Sequence, residues 1–145
     1  MGVKHLSILV FSIVVLTACQ VSSVKEQSDG NVGKVVSVNG EEYRDISVDE
    51  LQTMLENKDF LMVNVHIPFE GDLPDTDLSI AYDEIEQHLD QLPSDKEAPV
   101  VLYCRSGRMS AIAAEKLVGL GYTNIMNLEG GFNAWENAGL PMAGE

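Results

Sequence analysis

The sequence predicts one α/β domain, with a parallel sheet flanked by helices on both faces. Short apolar runs rich in β-branched residues alternate along the chain with stretches of helical periodicity. The helix candidates carry their own start or stop signals. A chain of 145 residues, 45% apolar and 22% charged, suits one hydrophobic core and argues against wholesale disorder.

Residues 1–18 open with Lys4 and His5, run through an apolar stretch over 6–18, and end in Leu16-Thr17-Ala18-Cys19. This is the layout of a secretory signal, and its 13 apolar-stretch residues fall short of the roughly 20 that a bilayer-spanning helix needs. Leu-Thr-Ala-Cys also resembles a bacterial lipoprotein signal, which implies removal of residues 1–18 and acylation of Cys19. Two or more acyl chains are what stable anchoring requires. The expected location is the cell envelope, lipid-anchored on the periplasmic side, with Gln20 favouring the outer membrane in a Gram-negative host. Residues 19–42 are polar and aperiodic and read as the acylated N-terminus with a flexible tether, reaching roughly 70 Å at about 3.3 Å per residue. Whether Val35-Val36-Ser37-Val38 is a short strand the sequence leaves undecided. The folded domain is expected over 43–145.

Within that domain, Ser47-Val48-Asp49-Glu50 has the form of a capping box, and Val48, Leu51, Met54 and Leu55 mark one face of a helix over 47–56. The apolar run 60–65 reads as a buried strand. Residues 66–80, with two prolines, read as a loop. Ile85, Leu89 and Leu92 recur at helical spacing and predict an amphipathic helix between Tyr82 and Pro93. A second buried strand follows over 100–103. A helix over 110–120 is stopped by Gly121, and a strand over 125–128 and a closing helix over 132–138 complete the order.

Charge narrows the function classes. The chain carries 23 acidic and 9 basic residues, a net charge of −14, so its field repels nucleic acid. Ten acids fall between Asp59 and Asp95 without one Lys or Arg. They read as a solvated face, or as a docking surface for a basic protein partner. Two cysteines make no disulfide framework, no Cys-x-x-Cys pair is present, and no cluster of His, Cys and acids suggests a metal site.

Cys104 falls directly after the strand 100–103 and before a helix, at the sheet edge where open α/β folds collect ligands. The backbone N–H groups of Cys104-Arg105-Ser106-Gly107-Arg108-Met109 can converge on one anion. Gly107 permits the tight turn, and a helix N-terminus adds partial positive charge. Arg105 and Arg108 put two cations beside the thiol and favour its reactive thiolate form.

The residues 100–110, the stretch Asn127-Leu128-Glu129-Gly130-Gly131-Phe132-Asn133-Ala134-Trp135 and the closing Gly139-Leu140-Pro141 together resemble the single-domain rhodaneses, or thiosulfate sulfurtransferases, over roughly 43–142. The resemblance implies a rhodanese-like sheet and a sulfurtransferase that needs no cofactor. Cys104 would be catalytic, taking sulfane sulfur from an anionic donor such as thiosulfate and passing it from a persulfide to cyanide or a thiol. Arg105, Ser106, Gly107, Arg108 and Met109 would form the substrate-binding loop, and Gly130, Gly131 and Trp135 would be structural. Several positions depart from the family pattern. Asn64-Val65-His66 stands where Asp-Val-Arg is common, so a buried ion pair is expected to be missing. Residues 71–76 replace the usual Gly-His-Ile-Pro-Gly-Ala segment. Met109 supplies no polar donor. His66 is an auxiliary candidate at the sheet edge or a structural loop histidine. Cysteine phosphatases need an arginine six positions after the nucleophile, where this chain has Ser110, so phosphatase chemistry is not expected. The rival to an enzyme is a low-turnover binding or sulfur-carrier module that docks a partner.

Overall fold

The computed structural model describes residues 1–2 and 32–144; the signal segment, Cys19 and most of the tether lie outside the described residues. The elements are β1 Lys34–Val38, β2 Glu41–Ile46, α1 Val48–Leu55, β3 Leu61–Asn64, β4 Leu78–Ser79, a 3₁₀ helix Ile85–Gln91, β5 Val100–Tyr103, α2 Arg108–Gly119, β6 Ile125–Leu128 and α3 Gly131–Asn137. The strands form one sheet in the order β1-β2-β6-β5-β3-β4. From β2 through β4 every pairing is parallel, as expected; β1 alone runs antiparallel, so the sheet is mixed.

That antiparallel strand corrects the tether boundary. Residues 34–42 belong to the hairpin β1–β2, which hydrogen-bonds into the sheet, rather than to a free linker. The turn is Asn39-Gly40, with φ of 53° and 89°, the left-handed pair that a two-residue hairpin demands. The second correction concerns the segment 82–92. It forms 3₁₀ turns broken at His88 (φ −120°, ψ 28°) instead of an α-helix. The shorter turns still deliver Ile85 and Leu92 to the core. A two-residue strand, β4, also appears inside the expected loop 66–80.

Side chains alternate across the sheet and build two cores. On one face Val63, Val100, Leu102 and Ile125 meet Ala113, Ala114 and Leu117 of α2, with Ile85 and Leu92 alongside. On the other, Ile46, Met62, Val101, Tyr103, Met126 and Leu128 meet Leu51 of α1 and Phe132 and Trp135 of α3. Helices therefore cover both faces, which is what a mostly parallel sheet requires.

Two local devices position the site. The capping box at α1 forms: Ser47 N–H donates to Glu50 Oε2 at 2.8 Å, and Glu50 N–H donates to Ser47 Oγ at 3.3 Å. Glu50 Oε1 also accepts from Gly33 N–H at 2.9 Å, which ties the chain before β1 to α1. The Ser47 N–H, helped by that of Gly33 and opposed by burial, holds the Glu50 carboxyl below its usual range. The second device lies at α3. Phe132 N–H donates to the Cys104 carbonyl at 3.0 Å, and Asn133 N–H to the Arg105 carbonyl at 3.0 Å. The contact is so close that a Cβ on Gly131 would lie 1.8 Å from the Cys104 oxygen.

Because the Glu50 carboxyl is held low, its contribution is present above the unfolded-chain value of about 4.3 and is lost as pH falls through the lower folded value. Glu50→Gln should lose about 1 kcal/mol near neutral pH, and its urea midpoint should fall less steeply than the wild type's below about pH 4.3. Gly131 combines φ +51° with the clash just described. Gly131→Ala should therefore lose about 3 kcal/mol in urea denaturation, since backbone must move against backbone.

Candidate active site

β3 and β5 pair in register, Asn64 opposite Tyr103, so the residues that follow emerge together at the carboxyl edge of the sheet. Val65 N–H extends the ladder by one bond to the Tyr103 carbonyl, 2.8 Å. Tyr103 points to the α1/α3 face and Cys104 to the α2 face. Cys104 is 1% exposed. Its Sγ lies beneath the loop, accepting from Gly107 N–H at 3.2 Å, with the Ser110 hydroxyl 3.4 Å away, whose one proton also reaches the Gly107 carbonyl at 3.2 Å. Gly107 adopts φ 87° as the residue before α2, and no side chain caps the helix there. The first-turn N–H groups of α2, which have no intrahelical partners, face this loop end of the helix.

The two arginines behave differently. The Arg108 guanidinium is exposed and makes no ion pair among the described residues. Arg105 is engaged: its Nη1 donates to both carboxylate oxygens of Glu70, at 2.9 and 3.0 Å. Glu70 Oε2 also meets His66 Nε2 at 3.0 Å. The His66 side chain is 7% exposed, stands edge-on to Phe132 at 5.7 Å, and leaves Nδ1 buried without a partner. The mouth is thus less electropositive than the loop sequence alone suggests. Beside it opens a pocket of about 320 Å³ bordered by Glu70, Asp72 and Glu136 against the single guanidinium of Arg105.

Where an ion pair was expected to be missing, a neutral amide stands in. Asn64, 1% exposed, donates to the Gly71 carbonyl and to Asp72 Oδ1, both at 2.9 Å, while its own oxygen accepts from His66 N–H at 3.0 Å. Asp72 Oδ1 further accepts from Ser79 Oγ and from the Tyr103 hydroxyl. Tyr103 also accepts from Leu73 N–H at 3.1 Å and meets Thr76 Oγ1 at 2.6 Å. Burial pushes the Tyr103 phenol far up, against the opposing effect of the Thr76 and Leu73 bonds, so it stays neutral as the hub of the loop 71–76.

Of the residues the sequence singles out, Cys104, Gly107 and the backbone of Arg105 are drawn into one loop braced by α3. Ser106 is exposed. Met109 is half-buried and packs against the α2-face core. Trp135 is buried and donates Nε1–H to the Pro141 carbonyl at 2.9 Å. Two residues near the sulfur or its arginines were not singled out. Ser110 is fully buried with its hydroxyl on Sγ; the available signal was a polar residue on the inward face of a helix otherwise lined by Ala113, Ala114 and Leu117. The contact of Glu70 with Arg105 had no local signal, because the two are 35 positions apart; His66, four positions before Glu70, is its near partner.

The arrangement can stabilise negative charge on a sulfur at the base of a loop, through one amide, one hydroxyl and a helix N-terminus. Comparison with known proteins agrees. The rhodanese-like domain family matches residues 62–138. A sulfurtransferase from Allochromatium vinosum is 36% identical over 94 residues, spanning 63% of this chain and 85% of the relative. The thiosulfate sulfurtransferase GlpE of Vibrio cholerae is 32% identical over 99 residues, 67% of this chain and 92% of its own. A crystal structure of a rhodanese-like domain protein from Staphylococcus aureus superposes with a TM-score of 0.55 at 33% identity, covering 63% of this chain and 89% of that one. These relatives support sulfur transfer as the general activity, and with the match running from β3 through the cysteine loop to the closing helix, the chain belongs to the rhodanese-like domain family.

Proposed function

We propose that the chain is a sulfurtransferase that works through a persulfide on Cys104. The Cys104 thiolate attacks the outer sulfur of a donor such as thiosulfate, the donor's S–S bond breaks, and sulfite leaves with the bonding pair. A nucleophile, cyanide in an assay or a thiol in the cell, then takes the terminal sulfur and releases the thiolate. The observation that carries this reading is the seat of Cys104 Sγ at the head of α2, on Gly107 N–H and within reach of the Ser110 hydroxyl. Arg108 supplies the free cation for an anionic donor. The name of the Vibrio cholerae relative supports thiosulfate as that donor. The signal-like residues 1–18 and Cys19 support a lipid-anchored location on the periplasmic side of the envelope, and the acidic run supports a basic protein as partner.

Two observations favour the alternative of a low-turnover sulfur carrier: Arg105 is already occupied by Glu70, and Cys104 is 1% exposed. The two readings separate by turnover. Mass spectrometry of the mature domain after thiosulfate treatment should show one added sulfur atom at Cys104, with thiocyanate formed catalytically when cyanide follows. Cys104→Ala should abolish both. A single loaded sulfur with no repeated turnover is the carrier's signature. Arg108→Ala should raise KM for thiosulfate about tenfold with kcat little changed, whereas Ser110→Ala should lower kcat about tenfold, as expected for losing one charge-assisted hydrogen bond.

A further inference from the structure

The contact between Glu70 and Arg105 bears on which sulfur compounds the site accepts. A small dianion needs guanidinium groups that are free to turn toward it. Of the two that the loop carries, Arg105 has its Nη1 on both oxygens of Glu70, at 2.9 and 3.0 Å. Glu70 is itself held from behind. His66 Nε2 contacts Oε2 at 3.0 Å, and the largely buried His66 ring rests on Phe132, whose N–H is bonded to the Cys104 carbonyl. The carboxylate is therefore fixed to the same framework as the cysteine loop, on the rim of the pocket that Asp72 and Glu136 also border.

We propose that Glu70 is a specificity-determining residue: by occupying Arg105 as an internal anion, it biases the site against small dianionic donors and toward sulfur compounds that carry an ammonium group. The inference rests on the persulfide reading of Cys104 and names the charge class of its donor. An amine-bearing persulfide, R–S–S⁻, gives its outer sulfur to the Cys104 thiolate. The R–S bond partner leaves as R–S⁻ when the S–S bond breaks, with no external oxidant or reductant. Its ammonium then lies where Glu70, Asp72 and Glu136 outnumber Arg105. A dianion must instead displace Glu70 or manage with Arg108 alone. The pair is exposed, with 58% of the Arg105 side chain and 39% of the Glu70 side chain accessible, so its effect is moderate and weakens with salt.

The test compares wild type with Glu70→Gln on three donors of graded charge: thiosulfate, 2-hydroxyethyl persulfide and 2-aminoethyl persulfide. Sulfur on Cys104 is followed by mass spectrometry, kcat and KM are measured for each donor, and thermal unfolding checks the fold. In Glu70→Gln the KM for thiosulfate should fall about threefold and that for the aminoethyl donor should rise by a similar factor. Both changes should shrink at high salt, with the hydroxyethyl donor between them. Glu70→Asp, which keeps the charge, should stay near wild type in its donor order. Sulfur transfer with the same KM ratio in wild type and Glu70→Gln overturns the role of Glu70 and leaves the persulfide reading standing. No sulfur on Cys104 from any of the three donors overturns both.

Discussion

The cysteine loop keeps its shape because another piece of chain lies against its back with no room for a side chain between them. Gly131 approaches the Cys104 carbonyl so closely that its α-carbon hydrogen fills the gap, and the next two amides close on the loop's carbonyls. The loop turns its Gly107 N–H onto Cys104 Sγ rather than onto backbone. Its carbonyls are satisfied from behind instead, by the first turn of α3. That turn is anchored in its own right, since Phe132 and Trp135 are buried in the α1/α3-face core. The geometry of the Cys104 loop thus depends on the start of a helix more than 25 positions further along the chain.

Phe132 extends this dependence to the other side of the mouth. Its ring meets Tyr103 at 5.4 Å and His66 at 5.7 Å, so the strand end that precedes the cysteine and the segment after β3 share one aromatic contact. Around it the chain uses neutral hydrogen bonds in place of a buried ion pair. The Asn64 amide makes three bonds, and the one nearby carboxylate, Asp72, accepts from Asn64, Ser79 and Tyr103. An amide carries no large desolvation penalty, so the loop is held without leaving an uncompensated charge. The Glu70–Arg105 charge pair stands outside this layer, where water screens it.

Periodicity and capping reveal the parallel core of the fold because those signals are local. Ser47 and Glu50 are three residues apart, and the apolar runs of β3, β5 and β6 are continuous. The hairpin was legible too, in Asn39-Gly40, but both flanking strands are half-exposed and β2 carries Glu41, Glu42, Arg44 and Asp45, which masks its alternation. The 3₁₀ segment shows the opposite failure: Ile85, Leu89 and Leu92 keep helical spacing, yet the turns tighten and break at His88. At the site, Cys104 and Gly107 could be read from a short motif, since strand, turn and helix are contiguous. The capture of Arg105 by Glu70 could not, because it follows from the path of the connection between β3 and β4, which has no repeating pattern.

The two margins of the sheet differ in what they offer to another molecule. At one margin β4 is only two residues long, preceded by Asp77, whose carboxylate is taken by Lys58 and by Met62 N–H. Such a stub gives a neighbouring chain almost no unpaired backbone on which to zip. At the other margin β1 runs for five residues and exposes Val35, with Lys34 its one charged side chain. Resistance to edge-to-edge aggregation therefore falls on that lysine and on the shortness of the hairpin, and removing the charge would leave an open, apolar template.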